Sequence, residues 1–256
     1  MTFLLREPLY LLVSTFAILF AANVCGHRLA MITGINGDGE LRVHIEGLRQ
    51  GLFVLLGLLL GFTVAMVLPK FDQRRGLVSE EAHAIDTTWL RAETLPEPQR
   101  DRTLQLLRQY LVVRRDFAHQ KLADQTELNR HIQQTKTLQD QLWQQIVPVA
   151  VQNQTSITAA YMQALNEMIG VSEKRLTAFE NRVPAEVWSI ILLVAIFQSF
   201  ITGYSLKRKI WLTLIGIPLV VAAVMALIAD LDDPHSGNIL IEQSSMNRLI
   251  NDISQR

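Results

Sequence analysis

The sequence has little of what reactive or charged sites are usually built from. Its 256 residues include one cysteine, Cys25, so an intrachain disulfide and a metal site made of several cysteines are both excluded. The 24 Lys and Arg residues balance 24 Asp and Glu residues, so no overall charge draws the chain towards nucleic acid or an acidic partner.

Catalytic motifs are also missing. The chain has no Walker-type phosphate loop, no Gly-x-Ser-x-Gly, no His-Glu-x-x-His and no EF-hand loop. Its six histidines are scattered, and no two of them are spaced i, i+4 on a helix face. We therefore predict that the protein is not an enzyme.

What the sequence does have is four long apolar stretches that contain no charged residue. A helix needs about 20 apolar residues to cross the hydrocarbon layer of a membrane, and backbone groups in lipid must be bonded within the segment. The pattern predicts four transmembrane helices, two on either side of a long polar middle. They are 8–25, 51–68, 187–206 and 210–229.

The first stretch could instead be a cleaved signal peptide. Its apolar run, however, exceeds the roughly 7–15 residues of a signal's apolar region, and no typical small-residue cleavage site follows it. We therefore favour a retained transmembrane helix.

The polar middle, residues 69–186, keeps apolar residues at helical spacing throughout and shows no strand-like alternation. The second span is predicted to continue as a helix to about residue 93, where Leu95-Pro96-Glu97-Pro98 ends it. Three more helices follow: from Pro98 to about residue 122, from near Asp124 until Pro148 interrupts it, and from about Ser156 to residue 182.

The predicted fold is therefore an all-α integral membrane protein in which two pairs of transmembrane helices flank a bundle of long extramembrane helices. The predicted divisions are 1–68 for the first transmembrane pair, 69–186 for the helical domain, 187–229 for the second pair and 230–256 for an acidic turn and tail.

Charged residues gather where the spans end. Asp72, Arg74 and Arg75 follow the second span, and Asp72 and Arg75 are spaced so that they could pair on one helix. Anchoring at the membrane surface is the simpler interpretation, and a ring of charge around a pore mouth is the alternative if several subunits assemble.

A second group is acidic and follows the fourth span. Asp230, Asp232 and Asp233 could supply oxygen ligands to a hard cation such as Ca²⁺. Their spacing matches no specific metal loop, so an acidic turn that ends the helix is the simpler interpretation. We expect no other cofactor.

Several short motifs occur in a fixed order over roughly residues 50–250. They are GFTVAMVLPKFDQRR at 61–75, EAHAIDTTWLRA at 81–92, LPEP at 95–98, LW at 142–143, LNEMI at 165–169, NRVP at 181–184 and DLDDPHSG at 230–237. Together they resemble the bacterial bestrophin-like domain family, a family of unassigned function.

The similarity to bestrophin anion channels is more distant. In those channels the second span lines the pore and leads into an aromatic-basic segment. Phe62, Phe71, Arg74 and Arg75 resemble that part of the channels here. A turn with acidic residues follows the fourth span in both. The paired tryptophans of the bestrophin segment are missing, and the acidic run is shorter than the calcium clasp of animal members.

The resemblance implies two sets of site residues besides the acidic group. Candidates for lining the pore or its mouth are Gly57, Gly61, Phe62, Thr63, Phe71, Asp72, Arg74 and Arg75. Residues of the helical-domain motifs are Glu81, His83, Asp86, Arg91, Asn166, Glu167, Arg175 and Arg182.

Two functions of different classes follow. The favoured one is an oligomeric anion-channel-like pore, a pentamer by the resemblance, with small anions and membrane lipids as partners. The alternative is a non-conducting scaffold or sensor whose helical domain binds a protein. Small residues such as Gly57 and Gly61 suit a pore face, but the aliphatic run 52–60 would make a dewetted constriction.

We expect the protein in a bacterial inner membrane. Positive charges near the span ends are almost evenly divided between the two sides, so the positive-inside rule does not orient the chain. The bestrophin resemblance implies that the helical domain and both termini are cytoplasmic.

Overall fold

The computed structural model describes residues 8–33, 39–119, 125–152, 154–206, 211–233, 239 and 241–255. Within them the chain forms helices and no strand, which confirms the all-α prediction. The helices are α1 (Pro8–Thr33), α2 (Gly39–Ala92), α3 (Gln99–His119), α4 (Gln125–Gln152), α5 (Ser156–Glu180), α6 (Ala185–Ser205), α7 (Trp211–Asp232) and α8 (Ser244–Gln255).

Helix α2 is the longest element, with 54 residues. It runs through Pro69 and ends at Ala92, so the prediction that the second span continues far beyond the apolar stretch is confirmed. A proline inside a helix removes one backbone hydrogen bond and favours a bend, but the residues on both sides of Pro69 keep helical geometry.

One expectation about the helices was wrong. Pro148 does not interrupt α4, which continues for about one more turn to Gln152, because a proline can be accommodated inside a helix. In the tail, for which no helix was predicted, residues 244–255 form α8. The helix start expected near Asp124, residues 207–209 between the third and fourth predicted spans, and residues 234–237 of the motif DLDDPHSG lie outside the described residues.

The chain divides into two compact units, and α2 contributes to both. The membrane unit comprises residues 1–71 and 182–239, and the second unit comprises residues 72–181 and 240–256. Each unit is built on its own buried core.

The core of the membrane unit is aliphatic. Helix α1 packs on α6 and α7, and the first half of α2 adds Leu56 and Val67 to the apolar clusters. Completely or almost completely buried side chains here are Leu19, Leu56, Val67, Ile191, Ala195, Met225 and Ile228.

Two glycines allow α1 and α6 to pass very close to each other. A Cβ atom added at Gly26 would overlap the carbonyl oxygen of Phe200, and one added at Gly203 would overlap that of Asn23. Only glycine fits such a backbone contact without movement, so this pair fixes the crossing of the two helices.

The outer surface of this unit is apolar as well. Many large aliphatic and aromatic side chains are exposed, among them Val54, Leu58, Phe62, Leu193 and Leu212. Among the described residues, four helical segments are long and apolar enough to cross a membrane. A surface of this kind is unsuited to water, and the chain is a membrane protein.

The second unit is a bundle of α3, α4, α5, α8 and the last third of α2. Its core is larger and contains aromatic residues, which are packed with the apolar side of α8. The largest fully buried side chains are Trp89, Tyr110, Tyr161, Ile85, Leu107, Leu142, Ile146, Leu165 and Met168, and α8 contributes Met246, Leu249 and Ile253.

Candidate functional site

The pore candidates of the second span do not all lie on the same side of α2. Phe62 is exposed, and among the described residues no other helix comes within 4 Å of a Cβ added at Gly57 or Gly61. Thr63 points the other way: it is buried, and its hydroxyl donates to the carbonyl oxygen of Leu59 at 2.7 Å. The exposed face of α2 therefore includes Gly57, Gly61 and Phe62 but not Thr63.

Phe71, at the end of this stretch, is half-buried. The preceding residue, Lys70, donates from its ammonium group to the carbonyl oxygen of Arg182 at 3.2 Å. This contact ties the end of the second span to the segment that leads into α6, within the membrane unit.

The acidic group after the fourth span holds the same segment. Both carboxylate oxygens of Asp232 accept from the backbone N–H of Val183, at 3.1 and 3.2 Å. The Arg182 guanidinium lies 3.5 Å from the carboxylate of Asp233, and Asp230 is buried. These contacts favour a structural role for the group, because two of its carboxylates bind protein donors.

Among the described residues, no group of three or more His, Cys, Asp and Glu side chains is placed to hold a metal ion. Residues 234–237, which follow the three carboxylates in the sequence, lie outside them. Ca²⁺ binding at Asp230, Asp232 and Asp233 stays a prediction.

The charged residues after the second span belong to the second unit. Arg74 is buried. Asp72 and Arg75 are exposed, and no ion pair joins them in the described part of the chain. Instead they line a polar pocket of about 400 Å³ together with Glu242, Ser244, Ser245 and Arg248 at the start of α8.

Two motif residues from distant parts of the sequence meet in the core of the second unit. Glu81 of α2 is fully buried, and its two carboxylate oxygens accept from the guanidiniums of Arg114 in α3 and Arg175 in α5. Arg175 also donates to the side-chain oxygen of Gln243, next to α8, at 3.2 Å. The cluster thus links three helices and the start of a fourth.

An aromatic ring completes this cluster. The guanidinium carbons of Arg114 and Arg175 lie 5.2 and 5.9 Å from the ring centre of Phe117. Cations at this distance from a ring are stabilised by its quadrupole, more strongly where water is excluded. Phe117 therefore offsets part of the cost of burying two positive charges.

The electrostatics keep Glu81 ionised. Burial acts to raise the pKa of its carboxyl, but the positive charges and hydrogen bonds of Arg114 and Arg175 outweigh burial and hold the pKa below its usual value. The cluster then carries two positive charges and one negative charge.

A neutral hydrogen-bonded group lies in the same core. The Gln139 side chain donates to the hydroxyl of Tyr110 at 3.3 Å and to that of Ser172 at 3.1 Å. Burial raises the pKa of Tyr110, so its hydroxyl stays protonated. These hydrogen bonds join α3, α4 and α5 within the core of the second unit.

Of the other motif residues, Arg91 joins α2 to α5 by donating to the carbonyl oxygen of Ala160 at 2.6 Å. His83, Asn166 and Glu167 are exposed on α2 and α5, and Asp86 is half-buried. The structure therefore brings Glu81 and Arg175 together and leaves these exposed residues outside that cluster.

Sequence reasoning missed Arg114 and Gln243. A signal was present for Arg114, since it continues the helical spacing of the buried residues Leu107, Leu111 and Phe117 and so had to enter the core. Gln243 precedes a helix that was not predicted, and its position gave no comparable signal.

A family model described as "Bestrophin-like domain" matches residues 38–246, which is most of the chain. No curated protein and no solved structure matches the chain.

Proposed function

The chain belongs to the bestrophin-like domain family, and from this premise we propose that several copies assemble in a bacterial cell membrane into a pore for small anions. The distant similarity to bestrophin channels supports a pore lined by the second span of each copy. The exposed face of α2 is the observation that carries the proposal.

Among the described residues that face has no partner, although it belongs to the apolar part of the longest helix. The residues that pack inward, Leu56, Thr63 and Val67, are at most 2% exposed, whereas Phe62 is 62% exposed. Gly57 and Gly61 leave the backbone uncovered between larger side chains. Small residues of this kind let helices of different copies approach closely or leave room for an ion path.

The part of a single copy that the structure describes offers no path of its own. The described interior of the membrane unit is filled by Leu19, Leu56, Ile191 and Met225, which are at most 3% exposed. Helix bundles of this size fill their axis with side chains. An ion path therefore has to lie between copies, where a closed ring repeats the α2 face around an axis.

The aliphatic residues on this face suggest how conduction would be controlled. Leu55 and Leu58 are 43% and 52% exposed, and a ring of such side chains forms a narrow apolar neck that excludes water when it is closed. We propose that this neck is the gate and that Phe62 lies beside it.

Currents across planar bilayers test the proposal. The purified protein in a KCl gradient should give currents that reverse near the chloride equilibrium potential. Phe62→Ala should change the single-channel conductance, whereas Phe197→Ala, which alters an exposed phenylalanine of α6, should leave it unchanged. Absence of any anion current from wild-type protein, over a range of pH and Ca²⁺ concentrations, would contradict the proposal.

A non-conducting scaffold or sensor is the second candidate. The observation in its favour is that the motif residues His83, Asn166 and Glu167 are exposed on the second unit, although core packing does not require them. Exposed polar residues of this kind suit recognition of a protein partner. A dimer without current would favour this function over the pore.

A further inference from the structure

A pocket of about 410 Å³ lies between α1, α6 and α7 in the membrane unit. Most of its wall is apolar or weakly polar and belongs to the predicted spans. At one end the wall becomes charged, with Arg182, Asp232 and Asp233. The rest of the lining is Leu11, Thr15, Ala185, Trp188, Ser189, Leu192, Met225 and Ala229.

The charged end has one loosely paired cation and two carboxylates. Arg182 and Asp233 are 44% and 18% exposed, and their closest atoms are 3.5 Å apart, which is too long for a strong hydrogen bond. Asp232 holds the backbone N–H of Val183. Arg182 can therefore turn towards a ligand at little cost, because its side chain is exposed and its contact with Asp233 is long. Asp233 lines the pocket beside it.

The position of this end follows from the sequence. Arg182 comes just before the third apolar span, and Asp233 comes just after the fourth. Charged residues that flank spans lie where hydrocarbon gives way to the head groups of the lipids. Trp188, one turn into α6, suits the same boundary. The pocket thus has its charged end at head-group depth and its apolar wall at the depth of acyl chains.

We propose that this pocket binds one zwitterionic membrane phospholipid with a primary ammonium head group. An acyl chain occupies the apolar part, the phosphate binds Arg182, and the ammonium binds Asp233. The volume lies within the range of about 300–1,000 Å³ that is usual for ligand pockets. This site is separate from the proposed pore face of α2 and does not depend on ion conduction.

Charge complementarity selects the head group. An anionic lipid such as phosphatidylglycerol brings a phosphate for Arg182, but nothing in its head group offsets that negative charge next to Asp232 and Asp233. A zwitterionic head group brings the same phosphate together with an ammonium, which is attracted to the carboxylates and offsets that repulsion. The binding preference should therefore be for phosphatidylethanolamine over phosphatidylglycerol.

The test measures which lipid stays with the protein. Full-length protein is reconstituted in an equal mixture of phosphatidylethanolamine and phosphatidylglycerol, extracted in a mild detergent, and analysed by native mass spectrometry. Phosphatidylethanolamine should be enriched about two- to fivefold in the complex, the effect expected of one exposed ion pair. Asp233→Asn should abolish the preference, and Arg182→Gln should weaken retention of both lipids.

A variant that fills the pocket distinguishes lipid bound in the pocket from lipid bound non-specifically to the apolar surface of the protein. Ser189→Trp places an indole in the pocket and should remove the tightly retained lipid. The matched control, Ile190→Trp, changes the next residue on α6, which is outside the pocket lining and 54% exposed, and should retain the lipid.

Three results would overturn the proposal: equal retention of the two lipids by wild-type protein, equal retention by Ser189→Trp and Ile190→Trp, or a rise in melting temperature with inorganic phosphate alone equal to that with phosphatidylethanolamine.

Discussion

Glu81 is the residue on which the packing of the second unit depends most directly. Its carboxylate is fully buried and accepts from Arg114 and Arg175. Removing one partner from a buried ion pair is costly, because the charge that remains is neither solvated nor paired. Here a single substitution would leave two guanidiniums in the core without a counter-charge.

We predict that Glu81→Gln lowers the unfolding free energy of the second unit by about 3–5 kcal/mol. The control is Glu80→Gln at the adjacent position. Glu80 pairs with Lys174 at 3.3 Å, but both side chains are largely exposed, so the change should stay within about 1 kcal/mol. Chemical denaturation in detergent, followed by far-ultraviolet circular dichroism, measures both. Similar losses for the two variants would contradict the special role of Glu81.

The same residue should make stability depend on pH. The folded-state pKa of Glu81 lies below its usual value of 4.5, so the unfolded chain takes up this proton first. The stabilising contribution is therefore present above about pH 4.5 and is lost as the pH falls through the lower, folded-state pKa.

Melting temperatures of wild-type protein and Glu81→Gln, measured between pH 7 and pH 3, should converge as the solution becomes acidic. A difference that stays constant down to pH 3 would show that the charge of Glu81 contributes nothing to the stability of the fold.

The sequence predicted only part of what individual residues contact. The motifs pointed to Glu81 and Arg175, but nothing in the sequence shows that positions 81, 114 and 175 meet, because helical spacing fixes a face and not a partner. Spacing likewise could not show on which side of α2 Thr63 would lie, since the four spans are apolar nearly all around.

Among the elements of the membrane unit, α1 and α6 lie so close that a Cβ atom added at Gly26 or Gly203 would overlap the backbone of the facing helix. The spacing Gly57-x-x-x-Gly61 is typical of close helix approach, but no other helix in the described part of the chain comes within 4 Å of a Cβ added at either glycine. The close approach occurs instead at Gly26 and Gly203, which are isolated glycines in their helices. A small-residue motif identifies a helix surface and does not say which helix covers it.

We predict that Gly203→Ala destabilises the membrane unit by about 3 kcal/mol or more, because overpacking against a backbone carbonyl cannot be relieved by a rotamer change. The control is Gly216→Ala in α7, where the nearest atom to an added Cβ is Leu212 Cδ1 at 3.8 Å. It should be neutral or slightly stabilising, as alanine favours a helix by up to about 1 kcal/mol over glycine.

Thermal unfolding and size-exclusion profiles of the two variants in the same detergent make the comparison. Gly203→Ala protein that melts as high as Gly216→Ala protein would show that α1 and α6 do not cross as described.

Most helices could be predicted from the sequence, and the exceptions have physical reasons. Long apolar or amphipathic runs identified α1 to α7, since their apolar spacing persists over several turns. Helix α8 has 12 residues, and its three buried residues, Met246, Leu249 and Ile253, give too short a pattern to recognise alone. It is stabilised by packing into the core of the second unit.

For the molecule as a whole, a surrounding membrane accounts for the exposed apolar surface. The distribution of positive charges, however, does not show which side of the membrane the second unit occupies. We expect the second unit on the cytoplasmic side, by similarity to bestrophins. Gln139 is unsuitable for testing this by thiol labelling, because its side chain is buried and bonded to Tyr110 and Ser172. Gln144, on the same helix, is exposed.

In a Cys25→Ser background, Gln144→Cys should resist membrane-impermeant thiol reagents in intact cells and react after lysis. Val43→Cys, an exposed position before the second span, is the opposite-side control and should react in intact cells. The reverse labelling pattern would invert the orientation.

The channel proposal requires more than one chain, because no ion path is expected through the filled interior of a single copy. The most direct measurement is the mass of the detergent-solubilised protein by light scattering, corrected for bound detergent. A closed ring of bestrophin type predicts about five times the chain mass of 29.0 kDa. A protein mass near 29.0 kDa would contradict both the ring and the pore.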